Sequence, residues 1–259
     1  MIRSAFVLSA ALAFLANPAI AAPVDATVKY VVTVGGINVA LIDIDLDDDG
    51  QNYGIDLSAK VTGLGSVVAS GTASANVRGS SAGQALQSNS FALETRANGE
   101  TFKVDVGFAN RNVASFQVNP PVLDSFDRVP LERSHLTGVG DFLSAFILKG
   151  NALDKSLCQR SLKIFTGVER FDINLGFLDN DEATSPRTGY QGPLVACSLK
   201  YKPISGHFSS SDMTNYLAEQ SRIILWYAPL GDSGYFIPYR VNVGTSMGDM
   251  SIVLTNTRL

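Results

Sequence analysis

Residues 158–207, CQRSLKIFTGVERFDINLGFLDNDEATSPRTGYQGPLVACSLKYKPISGH, carry a period of two. Phe171, Ile173, Leu175 and Phe177 alternate with Arg170, Asp172, Asn174 and Gly176, which gives a strand one apolar face and one wet face. Upstream, Leu162 and Ile164 alternate with Ser161 and Lys163, and Thr166-Gly167 supplies the turn between the two runs. Downstream, Val195, Cys197, Leu199 and Tyr201 share a face opposite Ser198, Lys200 and Lys202. Cys158 has the parity of Leu162 and Ile164, so both sulfurs are expected on the apolar side.

The same period extends outward. Toward the N-terminus, a β-branched run over residues 27–34 ends at Gly35-Gly36. Ile42, Ile44 and Leu46 then alternate with Asp43, Asp45 and Asp47, and the alternation continues over residues 53–61. Phe102, Val104, Val106 and Phe108 alternate with Lys103, Asp105 and Gly107 behind an Asn98-Gly99 hairpin signal, between shorter runs at 91–95 and 113–118. Residues 63–85, rich in Gly, Ser and Ala, read least clearly, with a strand expected around 71–78. Three final strands are expected at 221–227, 235–243 and 251–257, and a helical turn near 213–218.

Pro120-Pro121 interrupts this pattern, because proline cannot donate to a ladder. Beyond it Val139, Phe142, Leu143, Phe146 and Ile147 fall at i, i+3, i+4, i+7 and i+8, which predicts a helix. Thr137 would be its N-cap, Asp141 would lie in its first turn and Gly150 just past its end. The fold class is therefore all-β: a large curved antiparallel sheet or open β-barrel with one amphipathic helix packed across it.

Residues 1–21 have the pattern of a signal peptide: a cation at Arg3, an apolar run over 5–16, Pro18, and the small-x-small site Ala19-Ile20-Ala21. That apolar run is too short for a membrane span, so no transmembrane segment is expected after its removal. The expectation is a single β domain over residues 22–259 in the periplasm. Two cysteines in an oxidising compartment predict one structural disulfide, Cys158–Cys197. Hydrophobic residues make up 46% of the 259 residues and charged ones 17%, which is ample for a core. With 20 Lys+Arg against 24 Asp+Glu, there is no basic field for nucleic acid.

Several motifs match a chemistry in letters but not in context. Asp45-Leu46-Asp47-Asp48-Asp49-Gly50 starts like a calcium loop, with Asp56 at the twelfth place, but its flanks alternate with period two where an EF-hand demands helices. It reads as a polar hairpin tip. Residues 244–248 spell G-x-S-x-G around Ser246, yet strands lie on both sides and no histidine follows. His135 and His207 lack any zinc-ligand spacing. Arg160, Arg170 and Asp172 are expected to form a structural ion network at the hairpin. No catalytic residue, metal ligand or cofactor is expected.

Cys158-Gln159-Arg160-Ser161-Leu162, Phe165-Thr166-Gly167, Arg170-Phe171-Asp172, Tyr190-Gln191-Gly192-Pro193, Cys197, Pro203-Ile204-Ser205-Gly206-His207 and the strand of Trp226 together resemble the domain of unknown function 3108 family, and most closely its alphaproteobacterial members. The resemblance implies a secreted β protein of Gram-negative bacteria, related in shape to the open barrels of lipoprotein carriers, with no assigned activity. Members often have aspartate where this chain has Thr166, so no role is carried over to that position. The functional expectation is a non-enzymatic envelope protein whose curved sheet binds a lipid-like, lipoprotein-like or other hydrophobic ligand, or an envelope protein partner. Two alternatives stand beside it: a structural scaffold with a filled barrel, and an envelope hydrolase.

Overall fold

The computed structural model describes residues 23–63, 70–82, 85–122, 126–219, 222–245 and 248–259. The period-two runs become β1 (Val24–Val34), β2 (Ile37–Asp48), β3 (Asn52–Val61), β4 (Gly71–Ser80), β5 (Gln87–Ala97), β6 (Glu100–Ala109) and β7 (Asn112–Asn119). After a long connection carrying the two-residue β8 (Leu148–Lys149) come β9 (Ser161–Phe165), β10 (Arg170–Ala183) and β11 (Gly192–Ser205). Helix α1 (Asp212–Glu219) precedes β12 (Ile223–Pro229), β13 (Tyr235–Val243) and β14 (Met250–Arg258).

All named strands join one 14-stranded antiparallel sheet in the order β7-β6-β5-β4-β3-β2-β1-β14-β13-β12-β11-β10-β9, with β8 paired to β13. The first and last strands of the chain thus meet in mid-sheet, and two meanders run outward from them. The connection from β7 to β9 has to carry the chain from one sheet edge to the other.

The two meanders are buried differently. In β4, Ala75, Val77 and Gly79 face inward while Ser74, Asn76 and Arg78 face water, the pattern of a sheet wetted on one side. Gly79 is needed there because a Cβ would stand 2.2 Å from the Gln87 carbonyl oxygen and 2.6 Å from the ring of Tyr53. In β12 and β13, by contrast, Ala228 and Ile237 join one buried cluster while Tyr227 and Phe236 join the other. These strands are covered on both faces, and in β11 the consecutive residues Leu194, Val195, Ala196 and Cys197 are all buried.

The helix expected over residues 139–147 does not form. Val139 and Ile147 are buried as its stripe requires, but Thr137 and Gly140 bridge to the sheet edges with a bend at Gly138 between them, and only Ser144–Phe146 makes a 3-10 turn. Two glycines weaken a helix at its start, Gly138 adopts φ +66°, and open sheet edges on either side offer hydrogen bonds that extended backbone can satisfy. Thr137 caps no helix ahead of it; it closes the 3-10 turn Arg133–Leu136, its hydroxyl donating to the Ser134 carbonyl (2.9 Å), and bridges to Asn112. Among the described residues the α-helix is α1, where the sequence suggested only a turn. Phe177 also departs from expectation: a register shift between Phe177 and Asp179 leaves it 41% exposed, beside exposed Leu178.

Candidate functional site

Edge strands β7 and β9 do not pair with each other, and the seam between them is the most distinctive surface of the molecule. Residues 137–140 lie in it, bridging Asn112 on β7 and Ile164 on β9. The Val139 amide donates to the Arg111 carbonyl (2.8 Å), the Gly140 amide to Lys163 (2.9 Å), and the Phe165 amide to Gly140 (3.0 Å). Phe116 of β7 meets Phe165 of β9 edge to face, ring centres 5.3 Å apart. The hairpin tip after β9 presses on β6: at Gly167 (φ +91°) a Cβ would lie 2.1 Å from Val104 Cγ1, so only glycine lets the two ends of the sheet approach.

Beyond this contact the seam opens into a groove of about 670 Å³. Its walls are Phe116 and Val118 from the β7 edge and Pro121, Val122, Arg128, Val129, Pro130 and Leu131 from the crossing connection, together with Gly167. Arg128 holds the connection in place, donating from Nε to the Gly206 carbonyl (2.8 Å) and from a terminal nitrogen to Val168 (3.1 Å). Asp127 accepts hydrogen bonds from the Ser209 and Ser210 hydroxyls, which hold its carboxyl below the usual range. Around this anchor the aromatic side chains are not buried: Phe126 is fully exposed, and Phe208, whose backbone bridges to Arg128, is half exposed.

The sequence-designated residues fall elsewhere. Cys158 and Cys197 are fully buried at disulfide distance, Cα atoms 5.4 Å apart, with Cys158 on the 3-10 turn Lys155–Cys158 ahead of β9. Buried Arg170 pairs with partly buried Asp172 at 2.6 Å, and Arg170 Nε also donates to the His135 carbonyl. Arg160 is not part of that network; it donates to the Lys149 carbonyl at 2.6 Å. The His135 ring accepts from the Glu132 amide, and His207 is half-buried beside the groove's anchor, where its carbonyl accepts from Val129. Among the described residues no three His, Cys, Asp or Glu side chains gather where a metal could sit. The carboxylates of the calcium-like stretch diverge: Asp45 accepts from Thr27, Asp49 from the Gln51 and Asn52 amides of its own turn, and Asp56 pairs with Arg78. Ser246 and residues 1–21 lie outside the described residues.

Two buried carboxyls escaped the sequence reading. Asp48 accepts from the Ser81 hydroxyl and the Tyr235 phenol, each at 2.5 Å, and from the Gly50 amide. Asp141 is fully buried and accepts from the Ser88 and Ser144 hydroxyls and from the Leu143 and Ser144 amides. Burial pushes its carboxyl above the usual range despite these bonds. Burial likewise raises the phenol of nearby Tyr53 to about 12, and the charge of Asp141 adds to that rise. Asp48 sits in the Asp-rich tip and Asp141 in the supposed helix, so neither carries a local signal of burial.

The fold has a known counterpart. It is similar to a β-barrel-like protein of domain of unknown function DUF1849 from Brucella abortus, with a TM-score of 0.52 over 92% of this chain and 99% of that one. At 9% identity that likeness shows the fold alone. No family model matches the sequence, and no curated protein matches it. An open, barrel-like antiparallel sheet of a kind found in a family without known function is thus established. Among the described residues no helix is long and apolar enough to cross a membrane.

Proposed function

We propose that the protein is exported by a signal peptide in residues 1–21, folds as one β domain from residue 22, and in the periplasm holds a lipid-like or other hydrophobic ligand in the seam groove. The groove carries this reading: seven apolar side chains, with Arg128 beside them, line an open cleft of about 670 Å³, a size suited to an acyl chain. Leaving such surface in water is unfavourable by roughly 25 cal/mol per Å², a cost that a bound hydrocarbon removes. The ligand's place is the seam rather than the inside of the curved sheet, because inward side chains such as Tyr30, Tyr53 and Tyr235 pack into the core. The buried cysteine pair supports an oxidising compartment. Membership in the domain of unknown function 3108 family belongs to the same proposal and rests on the motif residues that resemble it.

A second reading, an envelope scaffold that docks a protein partner, is favoured by exposed Phe126 and Phe208 beside the groove. Lipid extraction and mass spectrometry on protein purified gently from the periplasm, with an intact mass, separate the two. A stoichiometric acyl species supports the ligand reading. An apo protein two hydrogens below the reduced mass keeps the disulfide and transfers the groove to a partner.

A further inference from the structure

A second opening at the seam has the opposite character. Its volume is about 340 Å³, and it draws cationic side chains from four places: Arg111 at the β6–β7 turn, Lys149 on β8, Arg160 just before β9 and Lys163 on β9. Leu86, Ile147 and Leu162 supply apolar wall. Four cations around one small cavity is a local excess in a chain whose net charge is −4.

Among the described residues none of the four makes an ion pair; the bridges lie at Lys29–Asp43, Arg78–Asp56, Glu94 with Arg96 and Lys103, and Arg170–Asp172. Asp48 shares the partners Ser81 and Tyr235 with Lys149 but makes no ion pair with it. Neutral acceptors fix the two inner cations instead. Lys149 Nζ donates to the Ser81 carbonyl at 2.7 Å and stands 5.4 Å from the centre of the Tyr235 ring. Arg160 donates to the Lys149 backbone carbonyl, so both inner side chains are held by neutral groups with their charges intact. The carboxyl in the cavity wall, Asp141, is fully occupied by Ser88, Ser144 and two backbone amides. Asp154 lines an adjoining cleft shared with Lys149 and Arg160, but it stays exposed and caps its own turn through the Ser156 amide at 2.8 Å. Partial burial lowers the proton affinity of Arg160, the mark of a cation whose lost water has not been replaced by an anion.

We propose that this cavity binds a phosphate-bearing ligand, its phosphate held between Lys149 and Arg160 with Arg111 and Lys163 at the rim. A guanidinium fork and an ammonium lining one cavity match the several oxygens and double charge of a phosphate, whereas a monocarboxylate would leave most of the positive charge unmatched. The volume leaves room for the phosphate and a short apolar portion against Leu86, Ile147 and Leu162. This site is separate from the groove and stands or falls without it.

Calorimetry of the exported protein with inorganic pyrophosphate at low salt tests the proposal. Binding at one per chain is expected, weakened at least tenfold by Lys149→Met or Arg160→Gln. Arg111→Gln with Lys163→Gln, at exposed positions that spare the fold, should weaken it several-fold, as should rising salt. Phosphatidic acid vesicles separate the sources: binding to them with competition by pyrophosphate identifies a lipid headgroup, and no vesicle binding identifies a free phosphate compound. No pyrophosphate heat overturns the proposal, as does equal affinity in variants that keep the parent melting temperature, or vesicle binding that pyrophosphate does not displace.

Discussion

The two meanders of the sheet solve one problem in different ways. The strands β2 to β7 keep a wet face and place charged pairs on it, as in Arg78–Asp56 and Lys103–Glu94. The strands β11 to β13 are covered on both faces, and the cysteine pair joins this half to the turn before β9. A one-sided meander has only one core face to lose, whereas a two-sided one concentrates stability where both layers meet. The seam brings the edge strand of the one-sided half, β7, toward the edge strand of the other half, β9.

Matched truncations probe the contrast most strongly. Leu225→Ala, in the fully buried half, should cost about 2–5 kcal/mol in denaturant unfolding, because cavity formation adds to the lost transfer energy. Leu57→Ala, half-buried on β3, should cost less than half as much. Equal losses would break the distinction between the halves. Next in size is the double change Cys158→Ala with Cys197→Ala. A sequence separation of 39 gives about 4 kcal/mol as the upper bound from chain entropy, and a drop of about 2–4 kcal/mol is expected.

Asp141 gives a pH signature at the seam. Its folded carboxyl titrates above the unfolded one, so the folded state holds the proton longer. Stability from this group is therefore present below the ordinary carboxylate range and lost as pH rises through it toward the raised folded value. Asp141→Asn should flatten that part of the melting-temperature profile; an unchanged slope would show that Asp141 ionises normally. The smallest effect belongs to the wet face: Asp56→Asn should change stability by under about 1 kcal/mol, since both partners of its pair are half exposed.

Legibility followed the same division. Period two located the wet-faced strands of β2, β3 and β6 closely, because water on one side forces alternation. The C-terminal strands were also found, yet in β11 Leu194 and Ala196 are buried with Val195 and Cys197, and no alternation can report a second buried face. The cysteines announced their side of the sheet, as did the turn at Thr166-Gly167. The seam was not readable. Residues 137–147 have helical spacing, but the sheet edges at Asn112 and Ile164, remote from them in sequence, captured their backbone. The groove and the cationic cavity depend on that capture: Phe116, Leu131, Arg111 and Lys163 come from distant parts of the chain and share no motif.

Titration with a fluorescent long-chain fatty acid, comparing the parent protein with Val122→Asp and Val129→Asp, tests the central claim that the seam groove holds an apolar ligand. The account predicts saturable binding at one site, with affinity reduced at least tenfold by either change while the melting temperature is kept. Absent binding, or equal affinity in all three proteins, would contradict it.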